Sequence, residues 1–182
     1  MAAPLAPREH ERLKDLIREI PDFPTSGIGF KDITPLLGSG AGLQQAVDEL
    51  AAWTADREPD LVLGAEARGF WLGAAIACKV GCGFVPARRP GKLPPETVTA
   101  RYLLEYGPSQ LELHTDAVRS GARVLVHDDL LATGGTALAL CELVEQLGGD
   151  VAGCGFLIEL AFLGGRERLA PRATHALLRY ES

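Results

Sequence analysis

The sequence predicts an α/β fold: a mostly parallel twisted sheet flanked by helices, with a flexible lid inserted between core strands. Three observations carry this expectation. Short apolar, β-branched runs alternate with segments of helical period, the pattern that strand–helix crossovers impose on a parallel sheet. The run Val124–Asp128 opens into a loop of small and hydroxyl residues and then an amphipathic segment, and ligands of open sheets bind outside such strand ends. The Pro-rich, basic stretch Arg88–Gly107 interrupts the alternation, and a long insertion of this kind is more often functional than core.

Taken in order, Leu13, Leu16, Ile17 and Ile20 recur at helical spacing and predict an opening helix that ends before Pro21. Residues 21–35 are rich in Pro and Gly and predict an ordered loop. Leu43, Val47, Leu50 and Ala51 share one face of a second helix. Leu61–Gly64 reads as a strand closed by Ala65-Glu66-Ala67-Arg68-Gly69, Phe70–Val80 as a helix, and Gly83–Ala87 as a strand. Val124–Asp128 and Val151–Leu160 read as further strands, separated by a helix from about Thr136 to Leu147 that stops at Gly148-Gly149. For Arg88–Gly107, a surface β-hairpin with a charged tip competes with the lid. No repeat, low-complexity tract or linker divides the chain, so residues 1–182 are expected to form one domain.

Composition narrows the partners. At 47% hydrophobic residues, 182 residues suffice for a real core. A net charge of −6 argues against a general nucleic-acid binder. Arg68, Arg88, Arg89, Lys92 and Arg101 nevertheless supply local basic groups for a phosphorylated ligand. Cys78, Cys82, Cys141 and Cys154 lack zinc-site spacing and lie among small residues, so buried free thiols in a reducing compartment are expected. The N-terminus carries no apolar signal region, and the longest apolar stretch, Val151–Leu163, is broken by Glu159. A cytoplasmic protein without a membrane partner is expected.

The chemistry concentrates in Val124–Thr136, VLVHDDLLATGGT. Two adjacent carboxylates, Asp128 and Asp129, stand at a strand end. The loop Ala132–Thr136 opens a helix whose first N–H groups lack intrahelical partners and can hold a phosphate. An acid pair beside a phosphate cradle suits a phosphorylated sugar.

This run resembles the phosphoribosyl-pyrophosphate motif of the type I phosphoribosyltransferases, and DDLLATGGT resembles the adenine-specific members of that family. PDFPTSGIGFKDITP (Pro21–Pro35), EARGF (Glu66–Phe70), RRPGKLP with LEYG, and the tail Leu163-Gly164-Gly165-Arg166-Glu167 through Leu169-Ala170-Pro171 carry the same resemblance. It spans nearly the whole chain from about residue 10. It implies a purine-salvage enzyme that converts adenine and 5-phosphoribosyl 1-pyrophosphate to AMP and pyrophosphate.

Roles follow position by position. Asp128 and Asp129 would accept hydrogen bonds from the ribose hydroxyls, directly or through a water on Mg²⁺; the metal would arrive with the substrate and have no direct protein ligand. Ala132, Thr133, Gly134, Gly135 and Thr136 would hold the 5-phosphate. Ala67 and Arg68 would form the pyrophosphate loop, with Arg88 and Lys92 extending the clamp from the base of the lid at 88–107 and Arg89 a marginal addition. In the base-binding loop at 21–35, Phe30 would stack on adenine, backbone groups at Gly29 and Lys31 would read its edge, and Leu130 would cover the other face. Glu105, in the lid, would be the catalytic acid, handling a proton on the purine as N9 becomes the nucleophile, and Tyr106 would help close the lid. A homodimer is implied as well.

Read without the resemblance, Phe30 is a core residue, while Arg68, Arg88, Lys92 and Glu105 are solvated surface groups. Two other functions stand beside the first: a 6-oxopurine (hypoxanthine, guanine or xanthine) phosphoribosyltransferase, and a non-catalytic regulator that senses phosphoribosyl pyrophosphate. Three positions depart from the family pattern. His127 replaces an aliphatic residue and reads either as a hydrogen-bonded core histidine or as a group tuning the acid pair near neutrality. Pro90 replaces a residue that is often basic, and Lys31 stands where Arg is common.

Overall fold

Parallel strands have to be buried on both faces, because their crossovers lay helices over them, and the apolar runs of this chain meet that demand. The computed structural model describes residues 12–24, 26–27, 29–104 and 107–182, with side chains described outside 102–108. Its main sheet has five parallel strands in the order β4-β3-β7-β8-β9: β3 is Leu61–Ala65, β4 Gly83–Ala87, β7 Arg123–Leu131, β8 Asp150–Leu160 and β9 Thr174–Tyr180. Helices α1 (Thr34–Gly38), α2 (Gly40–Ala55), α3 (Arg68–Val80), α4 (Gly135–Gln146) and α5 (Gly165–Leu169) complete the α/β architecture.

Two cores flank the sheet. Leu63, Val124, Val126 and Phe156 pack with Leu140, Leu143 and Val144 of α4 on one face. On the other, Val62, Leu125, Leu157 and Leu178 pack with Val47 and Leu50 of α2 and Leu72 and Ile76 of α3. The strict alternation of Val124, Leu125 and Val126 between the two clusters is the period-2 pleat at work. Of the second helix's expected face, Val47, Leu50 and Ala51 are buried, and Leu43 packs against the same cluster.

The sequence expectations for the central strands and crossover helices hold to within a few residues, apart from β7, which runs on to Leu131. Three features differ. The opening helix covers only 12–14 of the described residues; Arg18–Ile20 instead form β1, paired antiparallel with β2 (Phe30–Asp32). Leu13 still enters the core, so the helical spacing marks real burial, and Ile20 is lost to the strand because its backbone finds a partner at Phe30. Two further strands, β6 (Gly107–His114) and β9, also have no counterpart in the sequence reading. Of the four thiols, Cys141 and Cys154 are buried, with sulfurs 3.6 Å apart, but Cys78 is exposed and Cys82 half-buried. Cys78 falls on the outer face of α3, past the buried Ile76 and Ala77.

The insertion folds as an antiparallel hairpin of β5 (Thr97–Leu104) and β6. Its stem is part of the core: Ala100, Leu111 and Leu113 are buried against the α4 cluster. Glu105 and Tyr106 lie outside the described residues.

Candidate active site

The site forms where β3 and β7 end side by side. After β3, the Glu66 carboxylate accepts hydrogen bonds from Arg88 Nε (2.9 Å) and the Arg89 N–H (2.8 Å). These donors, led by the Arg89 N–H, hold it below the usual carboxylate range. Glu66 therefore ties the end of β3 to the end of β4.

Arg68 then opens α3. Its Nε lies 3.0 Å from Asp129 Oδ2, an ion pair off the alignment of a hydrogen bond, and its guanidinium sits 5.0 Å from the Phe30 ring centre. The next residue has to be glycine, because a Cβ at Gly69 would stand 2.9 Å from the His127 carbonyl oxygen. That close approach presses the start of α3 against the end of β7 and brings Arg68 to the acid pair.

Asp128 Oδ1 accepts the Asp129 N–H at 2.9 Å. Burial, together with the neighbouring Asp129 carboxylate, pushes the pKa of Asp128 well up. Asp129 is only 2% exposed; burial raises its pKa too, against the opposing pull of Arg68. Two buried carboxylates sharing one guanidinium are costly in the free protein and favour partners that bring hydroxyl donors or further positive charge. Beyond it, Gly134 caps α4 with φ +78°, a left-handed conformation that suits glycine. No side chain caps this helix, so the N–H groups of its first turn face the site.

A cavity of 670 Å³ joins these parts. It brings together, from the predicted residues, Gly29, Phe30, Lys31, Arg68, Asp128, Asp129, Leu130 and the whole of Ala132–Thr136. Ala67, Arg88 and Lys92 do not line it, whereas Arg89, the marginal candidate, does. The Lys31 ammonium is turned to Glu19 Oε2 at 2.9 Å and lies 4.4 Å from the Tyr180 ring centre, which leaves its backbone as the group available to a ligand. Phe23 meets Phe30 edge-to-face at 5.2 Å. Phe23 and Phe162 line the cavity while 50% and 55% exposed. Neither was singled out from the sequence, although large apolar side chains left open to solvent are the usual mark of a binding surface.

His127 is fully buried, and neither ring nitrogen has a hydrogen-bond partner among the described residues. Burial pulls its pKa down to about 4, weakly opposed by the Gly155 backbone. The imidazole is thus neutral at physiological pH, which removes a titration near neutrality as its role. In the unfolded chain it titrates near 6.5, so below that pH the unfolded state binds the extra proton and stability falls until about pH 4. Relative to His127→Val, the wild-type unfolding free energy should drop by roughly 3 kcal/mol between pH 7 and pH 4. Urea denaturation of both proteins in Mg²⁺-free buffer checks this; parallel pH profiles would contradict it.

A family profile described as a phosphoribosyl transferase domain matches residues 37–175. The adenine phosphoribosyltransferase of Nitrosococcus oceani is 55% identical over 170 residues, covering 93% of this chain and 99% of that one. The chain belongs to the adenine phosphoribosyltransferase family. A crystal structure of the adenine phosphoribosyltransferase from Thermoanaerobacter pseudethanolicus is similar at a TM-score of 0.91 and 50% identity, covering 94% of this chain and 99% of that one. The Saccharomyces cerevisiae adenine phosphoribosyltransferase, solved with an imino-altritol bisphosphate and adenine, matches at a TM-score of 0.87 and 37% identity over 95% of this chain and 100% of that one. The family name thus meets a cavity lined by an acid pair, the loop at a helix N-terminus and an aromatic loop.

Proposed function

We propose that this chain transfers the 5-phosphoribosyl group from phosphoribosyl pyrophosphate to N9 of adenine, giving AMP and pyrophosphate. One observation carries the reading. One 670 Å³ cavity is lined at once by the sugar-phosphate motif, Arg68 and the aromatic base loop, so all three parts of the reaction share one space.

In this reading the C1–oxygen bond to pyrophosphate breaks, and the leaving group keeps the electron pair. N9 then bonds to C1, and its proton passes to Glu105. The enzyme contributes alignment and charge rather than covalent chemistry. Asp128 and Asp129 fix the sugar through its hydroxyls, and Ala132–Thr136 hold the 5-phosphate with backbone N–H groups and the Thr133 and Thr136 hydroxyls. Arg68, already oriented at the cavity mouth by Asp129, meets the departing pyrophosphate. Phe30 and Leu130 sandwich the purine, while backbone groups at Gly29 and Lys31 read its edge.

Adenine offers a 6-amino donor where a 6-oxo purine offers an acceptor, so the wrong base would leave buried polar groups unpaired. The names of the relatives favour adenine over the 6-oxopurine alternative. A lid formed by residues 88–107, which Tyr106 would help to close, would keep water from the activated sugar.

The acid pair fits Mg²⁺ arriving with the substrate. Its carboxylates are hard oxygen donors, the class of ligand that Mg²⁺ and its bound waters favour. When bound, the ion would neutralise charge developing on pyrophosphate. We also place the protein in the cytoplasm as a homodimer; no helix among the described residues is long and apolar enough to cross a membrane. Sedimentation tests the dimer.

The reaction is tested by mixing adenine, phosphoribosyl pyrophosphate and Mg²⁺ with the protein. AMP and pyrophosphate should appear in equal amounts and cease on adding EDTA. Binding of phosphoribosyl pyrophosphate without any product would favour the regulator instead.

A further inference from the structure

The loop that carries Ala132–Thr136 rests on bare backbone. A Cβ at Gly165 would stand 2.2 Å from the Ala132 carbonyl oxygen and 3.0 Å from the Gly134 nitrogen, and one at Gly134 would stand 2.8 Å from the Gly165 carbonyl oxygen. Two glycines therefore meet without an intervening side chain, and the shape of the loop follows wherever Gly165 is held.

Gly165 opens α5, which at five residues has little intrinsic stability of its own. Leu169 anchors the far end of α5 in the core. The near end is anchored by charge. Arg166 donates from Nε to Glu159 Oε1 at 2.9 Å, from Nη2 to Glu159 Oε2 at 2.5 Å, and from Nη1 to the Thr174 carbonyl at 2.6 Å. Glu159 is 3% exposed and pairs in register with Leu131, the residue before Ala132. The fork thus joins β8, β9 and α5 at the level where the loop leaves β7.

We propose that the Glu159–Arg166 pair is the positioning element of the sugar-phosphate subsite, pinning Gly165 beneath the 132–136 loop so that its N–H groups keep their phosphate-binding geometry. This rests on the reading of that loop as the 5-phosphate cradle. A bidentate, part-buried carboxylate–guanidinium pair suits the task because it fixes direction as well as distance. The hydrogen bonds of the pair run within β8, β9 and α5, so its effect is expected on the phosphoribosyl pyrophosphate side.

The test is steady-state kinetics with both substrates varied, on wild type, Arg166→Ala, Arg166→Lys, Gly165→Ala, Thr133→Ala and, as a control, Arg172→Ala, which removes a more exposed pair with Glu145. Arg166→Ala should raise KM for phosphoribosyl pyrophosphate about tenfold and leave KM for adenine within about twofold. Arg166→Lys keeps the charge but loses the fork, so it should recover only part of the loss. Gly165→Ala should show the same one-sided rise with the ion pair intact, and Arg172→Ala should match wild type. If Arg166→Ala does not fold, the double variant Glu159→Leu/Arg166→Met leaves no buried charge and carries the same expectation. A folded Arg166 or double variant whose two KM values are unchanged, or rise together, overturns the proposal. If Thr133→Ala also leaves KM for phosphoribosyl pyrophosphate unchanged, the cradle reading falls with it; if Thr133→Ala raises that KM while the Arg166 variants do not, only the positioning role fails.

Discussion

Replacing Arg68 by alanine should lower kcat/KM by roughly 10²–10³-fold, the range typical of removing one preorganised group from a site of developing charge. The effect is large because three parts of the site converge on this side chain. Its Nε pairs with Asp129, its guanidinium sits over the Phe30 ring, and it lines the cavity at the end of β3. Arg68→Lys should recover only a fraction of the activity, since an ammonium cannot present the guanidinium's two parallel donors to phosphate oxygens. Stability should fall modestly, because Asp129 keeps its buried carboxylate without its counter-charge, while Arg68 itself is 34% exposed and partly screened by water. Activity is therefore read per folded molecule, with the unfolding midpoint measured alongside. A loss of less than about threefold would remove Arg68 from the chemistry.

Asp128→Asn should separate function from stability. Loss of a charged acceptor for the ribose should cut kcat/KM by roughly 10–10²-fold, in line with the ~1.5–3 kcal/mol of a hydrogen bond to an ionised group. The same change should stabilise the free protein by about 1–2 kcal/mol at pH 7, because it removes one of two like charges held together out of water. The pH dependence has a definite sign. Asp128 has a folded pKa raised well above the usual 3.8, so the folded state binds the proton more tightly and stability declines as pH rises through that window. The advantage of Asp128→Asn should therefore be small near pH 4 and grow toward neutrality. Denaturant unfolding of the two proteins across that range, in Mg²⁺-free buffer, measures it; an advantage that shrinks with rising pH would contradict the assignment.

How much of this was legible in the sequence depends on which kind of contact makes each feature. Val124–Thr136 was readable because strand, acid pair and cap follow one another in the chain and each residue type states its own job. The central strands were readable for the same reason: runs such as Leu61–Gly64 are buried on both faces and contain little else. β9 was not, since Thr174-His175-Ala176 carries no β-branched run and its pairing is set by β8 alone.

At the site, sequence could name a basic cluster after β4 but not order it. Arg88 and Arg89 leave the strand in opposite directions, and only the Arg88–Glu112 bridge and the Glu66 hydrogen bonds decide that Arg89 lines the cavity. The contact between Gly134 and Gly165 was illegible for a different reason. It joins residues far apart in the chain and involves no side chain, so it leaves no pattern to read. His127 was visible as an oddity, but its neutrality comes from complete burial against α3, where Gly73 makes room for it.

Base choice is the central claim, and it is tested most directly by pyrophosphate release from phosphoribosyl pyrophosphate and Mg²⁺ with adenine, hypoxanthine or guanine as the only base. Adenine should support turnover at least about 10³-fold better in kcat/KM than either 6-oxo base, the scale expected when the wrong base leaves buried polar groups unpaired. Release with hypoxanthine or guanine but not with adenine would contradict the account.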